Sequence, residues 1–225
     1  MSDRDRFGGA WLVTEYVFDP DGTHRGTVSQ HRRVEATGDQ RMRVTQHCRP
    51  SPELANHAMA AFAGEWVFDL AVVGDQRHYL GPDVVGMATQ WQPGAMTGRG
   101  CWPRFGYEFE SYGVMVAPDR QLTGGSFSLA GRSVVDIVGV AAPESVGAAP
   151  HLDLDAPRPE PPGGADHPHR WLLRRTVGPM LVAAGWASTT SHDRLWAMRD
   201  PVGDTGIAIT ERVDGSDRQV TVVVG

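Results

Sequence analysis

Apolar and polar residues alternate along much of the chain. In Arg41 to Cys48, Met42, Val44, Gln46 and Cys48 fall on one face, and Arg41, Arg43, Thr45 and His47 on the other. A period of two marks a strand with one face buried. The pattern returns after Trp66, where Trp66, Phe68, Leu70 and Val72 lie opposite Val67, Asp69 and Ala71. On the Tyr107 strand, Tyr107, Phe109 and Ser111 share one face and Glu108, Glu110 and Tyr112 the other; parity alone leaves open which set points inward. Apolar, β-prone runs predict further strands at 11–18, 27–35, 77–80, 84–91, 98–102, 126–129 and 134–140. Turn residues separate them: Asp19-Pro20-Asp21-Gly22, Thr37-Gly38-Asp39, Gly74-Asp75, Gly81-Pro82-Asp83, Gln92-Pro93-Gly94, Pro118-Asp119 and Gly131. Short strands with turns at this density imply a sandwich or barrel rather than βαβ units.

Two segments break the pattern. Ser51-Pro52-Glu53 carries a helix-start signature, and Leu54 to Phe62 then reads as one short Ala-rich helix, a lid across a barrel end or a plain connector. Residues 141–169 hold Pro143, Pro150, Pro157, Pro159, Pro161, Pro162 and Pro168 with Gly163-Gly164, and so read as a flexible excursion. Such a segment either links a pair of domains or forms a long surface loop; the second reading is preferred. Five short strands follow, at 171–177, 180–188, 194–198, 206–213 and 218–224, and they are expected to complete the same antiparallel sheet. The expectation is one β-barrel domain over residues 1–225, mainly β and antiparallel, with one short helix and a proline-rich loop at 141–169.

One string occurs twice. Phe7-Gly8-Gly9-Ala10-Trp11 and Phe62-Ala63-Gly64-Glu65-Trp66 both read Phe-x-Gly-x-Trp, and both open a Glu-aromatic-Val-Phe-Asp strand, Glu15 to Asp19 and Glu65 to Asp69. A glycine bend lets the strand start, and the Trp closes the end of a β core. A Gly-x-Trp opening a strand in an antiparallel meander, here Gly9 with Trp11 and again Gly64 with Trp66, resembles the lipocalin-like (calycin) β-barrels. That resemblance implies a closed up-and-down barrel, an apolar small molecule inside it, and a Trp packed across its closed end. It also implies a basic residue late in the chain stacked over that Trp, with Arg199 and Arg212 both open as candidates. The mid-chain helix and the proline-rich loop depart from the usual strand order, and the Gly-x-Trp-x-Gly-x-Gly string of the haem-binding nitrobindins is absent.

Composition narrows the function. The net charge is −6, so no nucleic-acid footprint is expected. All 21 basic residues are Arg. Schiff-base lysine catalysis is thereby excluded, while bidentate carboxylate or phosphate contacts are open. Cys48 and Cys101 are too few for a disulfide scaffold or a metal knuckle. The N-terminus lacks an apolar leader, and no run approaches the roughly 18 apolar residues of a membrane span. A cytoplasmic protein without membrane contact is expected, and a homodimer is left open.

Candidate chemistry concentrates in Gln76 to Tyr79, Gln90 to Gln92 and Cys101 to Glu110. Trp66, Phe68, Trp91, Trp102, Phe109 and Glu110 are candidate ligand-binding residues, set against the reading that the aromatic ones are plain core and the acids solvated. Glu15 shares a face with Trp11, Val13 and Val17. If that face is inward, burial raises the carboxyl's pKa and suits it to acid–base work. His78, Tyr79 and Tyr107 complete the candidate catalytic set. His151, Asp153, Asp155, Asp166, His167 and His169 cluster in the loop, too loosely held to predict a metal site, and no cofactor motif is present. The leading expectation is a barrel that binds an apolar or aromatic small molecule. The alternative is a cofactor-free enzyme, a cyclase, isomerase or lyase, acting on a natural-product or aromatic substrate in the same cavity. A third reading is a partner-binding protein that uses the proline-rich loop.

Overall fold

Ten strands in chain order close on themselves. They are β1 (Gly9–Phe18), β2 (His24–Gly38), β3 (Arg41–Pro50), β4 (Gly64–Val73), β5 (Gln76–Leu80), β6 (Val85–Gln92), β7 (Ala95–Trp102), β8 (Tyr107–Ala117), β9 (Arg120–Leu129) and β10 (Arg132–Pro143). Each pairs antiparallel with its sequence neighbour, and β10 returns to pair with β1 from Trp11 opposite Pro143 to Phe18 opposite Asp136. The computed structural model describes residues 6–155, 173–186, 191–200 and 205–225. The antiparallel barrel expected from the alternation is thus observed, with ten strands. Among the described residues no helix is long and apolar enough to cross a membrane.

Two expectations change. Leu54 to Phe62 does not form one α-helix: two 3-10 turns replace it, Pro52–Leu54 and Ala58–Phe62. His57 lies between them in an extended conformation, and its ring accepts a hydrogen bond from the Met59 N–H at 3.2 Å. Its other ring nitrogen lies 3.3 Å from Asp19 Oδ1 in the β1–β2 turn. The side chain therefore starts a new turn where an α-helix would have continued.

The second change is in the tail. Because β1 and β10 close the barrel, no strand edge is left for later strands to join. β11 (Leu173–Val177), β12 (Met180–Trp186), β13 (Ser191–Arg199), β14 (Gly206–Asp214) and β15 (Asp217–Val224) pair among themselves as a separate five-stranded antiparallel sheet. The chain divides into two compact units, Met1–His151 and Leu152–Gly225, where a single barrel domain was expected. In the second unit Leu181, Leu195 and Ala197 pack with Ala208. Arg212 donates to both carboxylate oxygens of Asp193, at 3.0 and 3.2 Å. Of the expected proline-rich loop, Ala141–Pro143 belongs to β10, and residues 156–169 lie outside the described residues, as do Trp171 and Ser188 of the tail.

The repeated string makes the same device twice. Gly9 and Gly64 have φ of +94° and +110°, a conformation glycine reaches without Cβ strain. In the first copy the Trp11 indole donates to the Gly8 carbonyl at 3.0 Å; in the second the Trp66 indole donates to the Phe62 carbonyl at 2.9 Å. Each indole fastens the turn before its own strand, and each turn tucks its Phe inside. Phe62 joins Trp66, Trp102, Phe105, Tyr107 and Phe127 in an aromatic cluster at one barrel end, backed by Leu54 and Met59. Phe7 is buried toward the other, beside Val34, Val44 and Leu70. The cation above a motif Trp is Arg104, 5.9 Å from the Trp66 ring. It comes from the β7–β8 turn rather than from Arg199 or Arg212 late in the chain.

Candidate functional site

The pleat decides what faces inward. On β1, Val13 is buried and Glu15 reaches the interior; on β2 the inward positions are Val28, Gln30, Arg32 and Val34. Gln46 and Cys48 come from β3, Tyr79 from β5, Phe109 and Ser111 from β8, and Gln121 and Thr123 from β9. Between the two Phe ends these residues line two adjoining, partly open chambers, of about 210 Å³ and about 150 Å³. Phe62, Phe68, Trp102, Phe109 and Phe127 supply the aromatic wall of the larger. Phe7, Leu70 and Arg77 belong to the smaller. Arg32, Gln46, Phe68, Tyr79, Ala88, Met96 and Gln121 line both, so they form the partition.

Glu15 is the most perturbed acid in the cavity. Burial pushes its pKa up to about 7, against the opposing pull of the Arg32 charge and a hydrogen bond from Gln30. The Gln30 amide donates to the carboxyl at 2.5 Å. Room for this side chain depends on Gly139 in β10: a Cβ there would meet Glu15 Cγ at 2.9 Å and Thr123 Cγ2 at 3.1 Å. Arg32 donates to the Gln121 side-chain carbonyl at 2.8 Å. Burial raises the Tyr79 phenol, with Arg77 and Arg32 pulling the other way. Tyr112 is raised by burial first and by Glu15 second. Burial also pushes the Cys48 thiol up to about 12, which keeps it protonated and inert at neutral pH.

The structure gathers some sequence candidates and separates others. Glu15, Phe68, Tyr79, Trp102, Phe109 and Glu110 all reach the larger chamber. Trp66 does not line it; it stands behind Phe62 in the end cluster. Tyr107 packs in the same cluster, stacked on Phe62 with ring centroids 6.3 Å apart. Trp91 donates to Thr97 Oγ1 at 2.8 Å and lines neither chamber. His78 lies between the inward Arg77 and Tyr79, so the pleat turns it outward. Gln30, Arg32, Gln46, Ser111, Gln121 and Thr123 were not singled out from the sequence. The available signal was their parity with Val28, Val34, Val44 and Phe109.

Both cysteines are free. Among the described residues no three His, Cys, Asp or Glu side chains gather as a metal site; Asp166, His167 and His169 lie outside them.

No protein-family model matches the chain, and no curated protein matches it at a significant level. Solved structures with a similar course include the S-type phycobiliprotein lyase CPES from Guillardia theta, at 11% identity and TM-score 0.47, covering 62% of this chain and 89% of that one. A redesigned β-barrel aligns at 14% identity and TM-score 0.35, over 61% of this chain and 91% of that one. EF1p2_mFAP2b bound to DFHBI aligns at 14% identity and TM-score 0.37, over 63% and 96%. By its own ladders, the first unit belongs to the class of closed antiparallel barrels with a walled interior.

Proposed function

We propose that the barrel binds an apolar or aromatic small molecule in its larger chamber. The observation that carries this reading is the chamber itself. An aromatic wall from Phe62, Phe68, Trp102, Phe109 and Phe127 surrounds a few polar groups, the usual make-up of a ligand site. Its volume of about 210 Å³ lies below the roughly 300 Å³ at which pockets for drug-sized ligands begin, which suits a molecule of one or two rings. The test is native mass spectrometry of freshly purified protein, followed by titration of tryptophan emission with small aromatics. A retained mass, or saturable quenching that Phe109→Ala weakens at least tenfold, supports the reading. No retained mass and no saturable binding across the panel overturns it.

A second reading rests on one specific feature. A carboxyl whose pKa is near 7, in a walled cavity, suits general acid–base catalysis at neutral pH. In a cofactor-free cyclase, isomerase or lyase, the aromatic wall would hold the substrate in a reactive conformation. Glu15 would move the proton, with Tyr79 on the same wall. Any turnover found should then follow an ionisation near pH 7 and fall at least a hundredfold in Glu15→Gln. Turnover unchanged in that variant would exclude the role.

A further inference from the structure

We propose that the ligand carries a carboxylate, which pairs with the Arg32 guanidinium at the partition between the two chambers. This inference rests on the ligand-binding reading above and names its ligand class.

Arg32 stands on β2 at an inward position and lines both chambers. Among the described residues its one side-chain hydrogen bond goes to a neutral acceptor, Gln121 Oε1, at 2.8 Å. A guanidinium has five N–H donors in a planar fork, and no carboxylate forms an ion pair with this one among the described residues. Glu15, on the neighbouring strand, is not its partner in an ion pair; the Glu15 carboxyl takes its hydrogen bond from Gln30. Burial opposes the charge on Arg32 and outweighs the opposite pull of Glu15, which lies near it without forming an ion pair. A cation taken out of water is costly, and the one side-chain acceptor this fork has is neutral. A carboxylate placed against the fork offsets that cost through two parallel charge-assisted hydrogen bonds.

The surroundings select the rest of the molecule. The larger chamber offers Phe68, Phe109 and Phe127 to an aromatic or apolar skeleton. On the far side of the partition, Arg77 lines the smaller chamber, with its guanidinium 5.3 Å from the Phe7 ring. Positive charge is therefore concentrated at and beyond the partition, while the two carboxyl side chains of the wall, Glu15 and Glu110, belong to the larger chamber alone. An aryl carboxylate fits this polarity with its ring among the aromatic residues and its charge toward Arg32.

The experiment is calorimetric titration of the full-length protein near pH 7 with naphthoate and with naphthamide, its neutral counterpart of nearly equal size. Naphthoate should bind at least tenfold more tightly, and Arg32→Gln should abolish that preference while leaving naphthamide binding in place. Equal affinity for the two probes in the native protein overturns the carboxylate inference and leaves the cavity reading standing. A preference that survives in folded Arg32→Gln overturns it as well. Saturable binding of neither probe overturns this inference, while the cavity reading is decided by the retained mass and the wider aromatic panel. The native-protein comparison needs no variant, so it decides the matter even where Arg32→Gln does not fold.

Discussion

Glu15 links the cavity to the stability of the fold. Its pKa rises from an ordinary 4.5 to about 7 because burial disfavours its charge. The folded protein therefore holds this proton at pH values where the unfolded chain has released it. Stability from this group is fully present below about pH 4.5 and is lost as pH rises through about 7. Glu15→Gln keeps the neutral shape without the titration. It should flatten the Tm-against-pH curve between pH 5 and 8 and raise Tm at pH 8, by roughly 2–4 °C per kcal/mol recovered at this chain length. A Glu15→Gln curve with the native slope would show that another group sets the dependence. Glu15 was legible from the sequence because it interrupts an apolar face of Trp11, Val13 and Val17. Arg32 and Gln30 were not, because a strand whose inward positions read Val28, Gln30, Arg32 and Val34 looks like a solvated one. A polar interior hides itself in a pattern that assumes apolar means inside.

At the scale of elements, the Phe-x-Gly-x-Trp string is the most informative feature of the sequence. Its glycines were legible as bends, and its indoles as end closures; that each indole holds its own turn by a carbonyl bond needed coordinates. At Gly64 nothing lies within 4 Å of an added Cβ, so Gly64→Ala tests backbone conformation alone. Its φ of +110° should make that substitution cost about 1–3 kcal/mol in urea unfolding. A change below about 0.5 kcal/mol would mean that the bend tolerates a side chain. Phe62→Ala should cost more, about 3–5 kcal/mol, because it leaves a hole amid five packed rings. The supposed helix at 54–62 was misread because its Ala content outweighed His57, whose ring competes for the Met59 amide. Strand β9 begins at Arg120 rather than at 126, because Gly124 and Gly125 carry no apolar alternation; in the barrel those glycines stand where neighbouring strands press too close for a Cβ.

At the scale of the molecule, alternation was enough to predict an antiparallel barrel, because period-two burial on successive short strands has few other solutions. It was not enough to say where the barrel ends. Closure is a pairing between β1 and β10, more than a hundred residues apart in the chain, and no local pattern records it. The tail strands carry the same signals as the barrel strands, so only the closed ladder shows that they belong to a second sheet. The two Phe ends have a kinetic corollary. Each is latched by an indole to its own backbone, so under the proposed reading an occupant that passed either end would have to displace a pinned aromatic side chain. Exchange of that occupant would then be slowed by the same turns that start strands β1 and β4.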